Sequence, residues 1–172
     1  MERKDLSLEQ EYAFQLFENG ENVFLTGPGG TGKTCLIKQM VKRQNKKVVV
    51  CAMTGCAAML LGCGAITLHS WSGIRLGKGS KEDLFKLVSE NKNSIKRWRS
   101  TETLILDEVS MLSKKLFDAL DLIGRRIRNN PTKPFGGIQL IFVGDFYQLP
   151  PVGSKDDESS LFCFESSKWY ES

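Results

Sequence analysis

The sequence predicts an α/β domain, a mainly parallel sheet with helices on both faces. Three observations lead there. The glycine-rich stretch GPGGTGKT (27–34) joins the apolar run NVFLT to the helical run CLIKQMVKR, the order expected where a parallel strand feeds a helix. Four short apolar runs lack the in–out alternation of a half-solvated sheet, as strands covered on both faces do. Helical stretches separate those runs along the chain.

The elements follow in order. LSLEQEYAFQLFENG predicts a first helix, with Ser7 and Gln10 at capping-box spacing, Tyr12, Leu16 and Phe17 on its apolar face, and Gly20 ending it. Strands are expected at 23–25, 47–52, 103–106 and 139–143. Between them, helices are expected after Lys33, around 56–61 and over 113–129. In the last, Leu116, Leu120, Ile123 and Ile127 form an apolar stripe, while Lys114, Asp118, Asp121 and Arg125 are expected to face away. GKGSKED (77–83), NNPTKPFGG (129–137) and GSKDDESS (153–160) have loop composition, and no internal repeat is present.

At 172 residues, with 41% hydrophobic and 26% charged content, the chain suits one globular domain spanning 1–172. No apolar run nears the ~20 residues of a membrane helix, and MERKDLSLEQ is unlike a secretory signal, so neither membrane nor export is expected. Five cysteines, an odd number with no C-x-x-C pair, argue against a zinc site and for free thiols in a reducing intracellular compartment. Four of them sit in apolar or glycine-rich surroundings that read as core or near-core. A net charge of only +4 means that any affinity for nucleic acid must come from local clusters of cations.

GPGGTGKT fits G-x-x-x-x-G-K-[ST] in full. Such a turn lets backbone N–H groups of Gly27, Gly29, Gly30, Thr31 and Gly32 converge on one hollow at the positive end of a helix. Lys33 would reach the β- and γ-phosphates and the Thr34 hydroxyl would bind Mg²⁺. In TLILDEVSM (103–111), Asp107 and Glu108 end an apolar strand. There Asp107 would hold Mg²⁺ through its water shell and Glu108 would serve as general base; otherwise the pair merely begins the next helix, where negative charge is favourable. VGDFYQLPPV (143–152) offers Gln148 as a sensor of the γ-phosphate or attacking water, or else as an exposed amide on a proline-stiffened turn.

Three further readings stay open on their residues alone. Gln10 either reads a base or only completes the cap that Ser7 begins. In CAMTGCAAMLLGCGAITLHSWSGI (51–74), small residues, hydroxyls, the sole histidine and Trp71 could meet a sugar-phosphate backbone and stack a base, or could be a packed helix with a core tryptophan. IKRWRS (95–100) places three cations around Trp98, as in a backbone-tracking groove or a solvated charged face.

Taken together, these stretches resemble the Pif1 family of DNA helicases in superfamily 1. GPGGTGKT, MTGCAA, TLHSWSGI, RWRSTETLILDEVSM and GDFYQLPPV occur in the order of that family's motifs I, Ia, Ib, II and III. LFDALDLIGRRIRNNPTKPFGGIQLI (116–141) is similar to the signature separating Pif1 relatives from other superfamily-1 helicases. The resemblance implies a RecA-like P-loop NTPase domain that uses ATP and Mg²⁺, the metal held by Thr34 and Asp107. It implies catalytic roles for Lys33, Asp107, Glu108 and Gln148, and an adenine contact for Gln10. It places Thr54, Gly55, His69 and Trp71 against single-stranded DNA. It further implies 5′-to-3′ translocation, unwinding of forked or structured DNA, and work in telomere maintenance, repair and recombination, in nucleus or mitochondrion if the source is eukaryotic. Relatives continue into a second RecA-like domain with motifs IV to VI, which residues 1–172 lack. The chain is therefore expected to be a monomeric first motor domain, weak in ATP and DNA binding and slow in hydrolysis by itself.

Two other function classes compete with the motor. One is another P-loop enzyme, a small-molecule kinase or an assembly ATPase. A kinase would bring an arginine-rich lid, which is not found between Asp107 and Gln148, and either would leave PFGGIQLI without a role. A catalytically silent nucleotide- or DNA-binding module is the other.

Overall fold

Five parallel strands form the sheet in the order β1-β5-β4-β2-β3, where β1 is Val23–Leu25, β2 Val48–Ala52, β3 Ile66–Thr67, β4 Thr103–Asp107 and β5 Gln139–Val143. The computed structural model describes residues 6–43, 47–153 and 158–172. Four strands stand where the apolar runs put them. The expected loop at 153–160 lies partly outside the described residues, as does the N-terminal MERKD.

Side-chain alternation along the strands splits the core in two. Ile105, Ile141 and Val143 pack beneath helices α1 (Leu8–Glu18) and α2 (Lys33–Lys42). Leu104, Leu106, Leu140 and Phe142 face the opposite layer. That layer holds α4 (Leu68–Ser72), α5 (Lys81–Ser89), α6 (Lys92–Ser100) and α7 (Lys114–Ile127), while α3 (Gly55–Leu61) packs against both β2 and β3. Both faces are covered, which is why the strands read as unbroken apolar runs.

Helix α1 begins with the expected capping box: Ser7 Oγ accepts from Gln10 N and Gln10 Oε1 accepts from Ser7 N. Its buried face differs from the expected one. Ala13, Phe14 and Phe17 are buried, whereas Tyr12 is exposed. The two phenylalanine rings meet edge to face over α2, which fixes the helix rotation.

Helix α5 starts at Lys81, inside the stretch 77–83 expected as loop, and α6 takes in the cationic run 95–100, leaving Lys96 and Arg99 exposed around a buried Trp98. Ser80 and Asp83 form a second capping box, and Asn91 caps α6. Trp98 is fully buried, its ring packed against Trp71 at a 43° tilt, and its N–H donates to Ser72 O. Arg97 donates to the carbonyls of Trp71 and Ser70, so it is a structural cation.

On α7 the apolar stripe is buried as expected, yet Asp121 is not turned outward. It is fully buried, accepts the N–H of Phe135 at 2.9 Å, and pairs with Arg125 at 2.8 Å and Lys168 at 2.9 Å. These contacts hold the segment at 129–137, whose Phe135 is buried with a left-handed backbone (φ 49°). Gly124 makes that docking possible. A Cβ there would stand 2.7 Å from the carbonyl carbon and oxygen of Phe135. Gly124→Ala is therefore expected to destabilise the fold by about 1–3 kcal/mol through overpacking, measured as a lowered urea midpoint at unchanged m-value.

Of the cysteines, Cys51 and Cys163 are buried, Cys35 is half-buried, and Cys56 and Cys63 are exposed; all five are free thiols. Two belong to the core and Cys35 lies near it, which corrects the expectation of four core or near-core cysteines to three. No helix among the described residues is long and apolar enough to cross a membrane.

Candidate active site

Registers Leu25↔Val143 and Leu106↔Phe142 bring the C-terminal ends of β1, β5 and β4 level. The loops that leave those ends therefore converge. An open cleft of about 620 Å³ lies among them, lined by residues 29–34, Asp107, Glu108 and Gln148.

The phosphate loop owes its shape to glycine. Gly27, Gly30 and Gly32 have φ of 142°, 82° and 85°, conformations that side chains disfavour. At Gly32 a Cβ would also stand 2.7 Å from Gln10 Nε2. Gly32 caps α2 without a side-chain hydrogen bond, so the first N–H groups of that helix face the cleft with no competing cap. Lys33 folds back along the loop, its ammonium donating to Gly27 O at 2.6 Å and Pro28 O at 2.9 Å.

Gln10 does more than cap. Its Nε2 donates to Thr31 O at 3.0 Å, which ties the start of α1 to the loop. Gln10 and Gly27 support the loop without lining the cleft.

Glu108 sits in a left-handed conformation (φ 58°, ψ 40°) at the head of the 3-10 turn Val109–Met111. Its side chain makes no cap bond there. The carboxylate is thus not engaged in a cap bond, although Glu108 does head the next turn, as the helix-start alternative expects. Backbone strain at a non-glycine residue that aims an acid into a cleft is a mark of functional sites. Asp107 Oδ1 accepts the N–H of Glu108 at 3.0 Å.

Burial pushes the Asp107 carboxyl above the usual carboxylate range, against the Glu108 N–H and the Lys33 charge, which pull it down. Glu108 is also raised, first by burial and then by the neighbouring Asp107 charge, with Lys33 opposing. Both ionised acids therefore cost stability that this chain accepts for the site. Below the unfolded-state pKa neither form is charged and the cost vanishes; it develops as pH rises through the unfolded and then the raised folded pKa. Asp107→Asn is expected to raise the melting temperature at pH 7, with the gap closing near pH 3, since Asn Oδ1 can keep the Glu108 N–H bond. Equal melting temperatures across that range would contradict the burial account.

Gln148 is exposed at the mouth of the cleft, its Nε2 3.4 Å from Asp145 Oδ2. Asp145 shapes this turn, accepting the Tyr147 N–H at 3.0 Å. Lys38, one turn beyond Thr34 on α2, lines the cleft as well and was missed, although its i+4 spacing from Thr34 could have shown it.

A divalent cation fits this donor set. Thr34 Oγ1 and the Asp107 carboxylate are hard oxygen donors in one cleft. No cluster of three or more acidic, histidine or cysteine ligands exists among the described residues.

The second expected set divides. The register pair Ala52↔Thr67 places Thr54 and His69 two residues beyond adjacent strand ends, on the same edge of the sheet as the cleft. Thr54 caps α3 through Ala57 N, and Gly55 is exposed with open space around it. His69 is half-buried, and burial holds its imidazole below the ordinary histidine value. Trp71 is the correction. It is fully buried, its ring against Trp98 and its N–H on Thr101 Oγ1 at 3.2 Å, so it has no face on which a base could stack.

A glycine-rich loop at an uncapped helix start, a lysine across it, and two acids with a glutamine at the neighbouring strand ends define a RecA-like P-loop nucleotide-binding domain. Comparison with known proteins narrows the class. The PIF1-like helicase family matches residues 5–172, and the chain belongs to that family. It is 48% identical over 173 residues to the ATP-dependent DNA helicase PIF1 of Saccharomyces cerevisiae, covering 96% of this chain and 20% of that protein. The crystal structure of Pif1 helicase from Candida albicans superposes with a TM-score of 0.88 at 44% identity, over 98% of this chain and 38% of that one. Pif1 helicase from Bacteroides in complex with ADP-AlF3 and ssDNA gives a TM-score of 0.80 at 29% identity, over 99% of this chain and 41% of that one. The chain thus spans about a fifth of the curated relative and about two fifths of the solved ones.

Proposed function

We propose that this chain is the ATP-binding lobe of a Pif1-type DNA helicase, which couples ATP hydrolysis to 5′-to-3′ movement on single-stranded DNA and to unwinding of forked or structured duplexes. The observation that carries the reading is the single cleft shared by Lys33, Asp107, Glu108 and Gln148, with the Glu108 carboxylate free of any capping bond.

In this reading the α2 N-terminus and the loop amides bind the β- and γ-phosphates, and Lys33 moves from its carbonyl partners to the phosphate oxygens. Glu108 takes a proton from the attacking water, a role helped by its raised pKa. Gln148 hydrogen-bonds the water or the γ-phosphate and, being exposed on a turn with Tyr147 and Leu149, passes the nucleotide state onward. Mg²⁺, held by Thr34 and Asp107, would neutralise phosphate charge. Gln10, already fixed by Ser7 and Thr31, offers its remaining amide hydrogen to adenine. Thr54, Gly55 and His69 meet the DNA backbone at the neighbouring strand ends.

A second RecA-like lobe completes the motor. Stepping needs two lobes closing on one nucleotide, and a partner arginine finger is worth ~10³–10⁵ in rate in comparable phosphoryl-transfer enzymes. By itself the chain is a monomer that binds ATP and single-stranded DNA weakly and hydrolyses slowly. Five free thiols suit a reducing compartment, nucleus or mitochondrion in a eukaryotic source. The test is the ATPase rate of the protein extended through the second lobe, titrated with single-stranded oligonucleotide. Strong stimulation is expected; a rate indifferent to DNA would remove the motor reading.

A further inference from the structure

Helix α6 carries positive charge that its own stability does not call for. Its nine residues, KNSIKRWRS, contain four cations and no acid, as many charges as the net excess of the whole chain. Arg97 is absorbed by the carbonyls of Trp71 and Ser70. The other three, Lys92, Lys96 and Arg99, follow i, i+4, i+7 spacing and line one shallow groove with Ile95 and Ser100.

Arg97 and Arg99 in the last turn suit the macrodipole, but the cations at the start of the helix work against it. Lys92 is its first residue, where the macrodipole disfavours a cation, and no acidic residue occupies the first turn. Lys92 and Lys96 repel each other at i+4 spacing. No ion pair among the described residues involves any of the three. Arg99 is held by one bond, Nε to Ile127 O at 3.1 Å, which leaves its terminal nitrogens free to face the groove. At the far end Lys47 Nζ rests on Ser100 Oγ at 2.8 Å, adding a fourth cation from the residue before β2.

The stripe stands on rigid ground. Trp98 and Ser94 are buried on the opposite side of α6, and Trp98 is bonded to Ser72 at the end of α4. Lys92 and Arg99 are separated by about 10 Å along the helix axis, from a rise of ~1.5 Å per residue. Among the described residues no aromatic side chain lines the groove. Sites for single strands combine cations with rings that stack bases, whereas a duplex keeps its bases inside and offers only phosphates to such a surface.

We propose that Lys92, Lys96 and Arg99, with Lys47, form a contact surface for the phosphate backbone of duplex DNA, separate from the strand-end surface of Thr54, Gly55 and His69. The proposal rests on the nucleic-acid reading above and adds to it a site for the duplex arm.

The test compares the wild-type chain with the triple variant Lys92→Gln, Lys96→Gln, Arg99→Gln and with His69→Ala. Binding to a fluorescein-labelled blunt duplex and to labelled oligothymidylate is titrated against salt. The triple variant should lose duplex affinity, and its log–log salt slope should shrink by about 2–3, from ~0.9 per phosphate contact on B-form DNA. Its oligothymidylate affinity should hold, while His69→Ala does the reverse. Unchanged duplex affinity and slope would overturn the stripe, as would equal weakening on both probes or equal competition by a polyaspartate peptide. Should oligothymidylate fail to bind the wild type, the strand-end reading falls while the duplex arm is still scored by its own probe. Thermal melts confirm folding. If losing the Arg99 bond to Ile127 disturbs the fold, the pair Lys92→Gln, Lys96→Gln carries the same test with a slope change of about 2.

Discussion

Replacing Asp121 by alanine is expected to lower stability by about 3–5 kcal/mol, the range for breaking a buried ion pair and stranding its partners. On a chain of this size that corresponds to roughly a 10 °C fall in melting temperature at ~2–4 °C per kcal/mol. The reason is the number of groups that depend on one carboxylate: the Phe135 N–H, the Arg125 guanidinium and the Lys168 ammonium. Burial alone would push this acid up, but the Phe135, Lys168 and Arg125 contacts outweigh it and hold the pKa below the ordinary carboxylate value. A depressed folded-state pKa means stability that is present above the unfolded pKa and lost as pH falls through the folded one. Asp121→Asn, which can keep the Phe135 bond but not the charge, should therefore show its deficit at neutral pH and approach wild type in acid. Differential scanning calorimetry reads both effects, and a shift below ~2 °C for the alanine variant would contradict the staple role.

Glu108→Gln is expected to cut ATP turnover by about 10²–10⁴-fold in the protein extended through the second lobe, the contribution typical of a positioned general base. Nucleotide affinity should hold, because the amide preserves the shape of the left-handed turn and removes one negative charge from beside the phosphates. A variant that loses binding together with turnover would make Glu108 a structural residue of the 3-10 turn rather than the base. The expected pattern, binding kept and turnover lost, separates the two by single-turnover hydrolysis and equilibrium titration.

Much of the fold was legible because its signals are local. The four apolar runs became β1, β2, β4 and β5, and the Ser7–Gln10 spacing became a real capping box. The phosphate loop was legible for the same reason: its conformation requires glycine at set positions. What escaped depends on partners distant in sequence. Strand β3 has only two residues, too few for any periodicity, and exists through its pairing with β2. Helix α6 reads as a charge run because only Ser94 and Trp98 of its nine residues are buried. Asp121 has the sequence context of an outward acid, and only Phe135 and Lys168, 14 and 47 residues away, explain why it turns inward. Trp71 fits a stacking aromatic by pattern; Trp98, arriving from α6, covers it. The PFGG segment similarly stood out as a signature without revealing that it docks on Gly124.

Equilibrium titration of a fluorescent ATP analogue against wild type and Lys33→Ala probes the phosphate hollow itself. If the hollow at 27–34 holds the triphosphate with the Lys33 ammonium, the variant should lose roughly tenfold or more in affinity, since a hydrogen bond to a charged group is worth about 1.5–3 kcal/mol. Its melting temperature should hardly change, because Lys33 bonds only to two loop carbonyls. An affinity equal to wild type in a folded Lys33→Ala protein would mean that the triphosphate is not bound there.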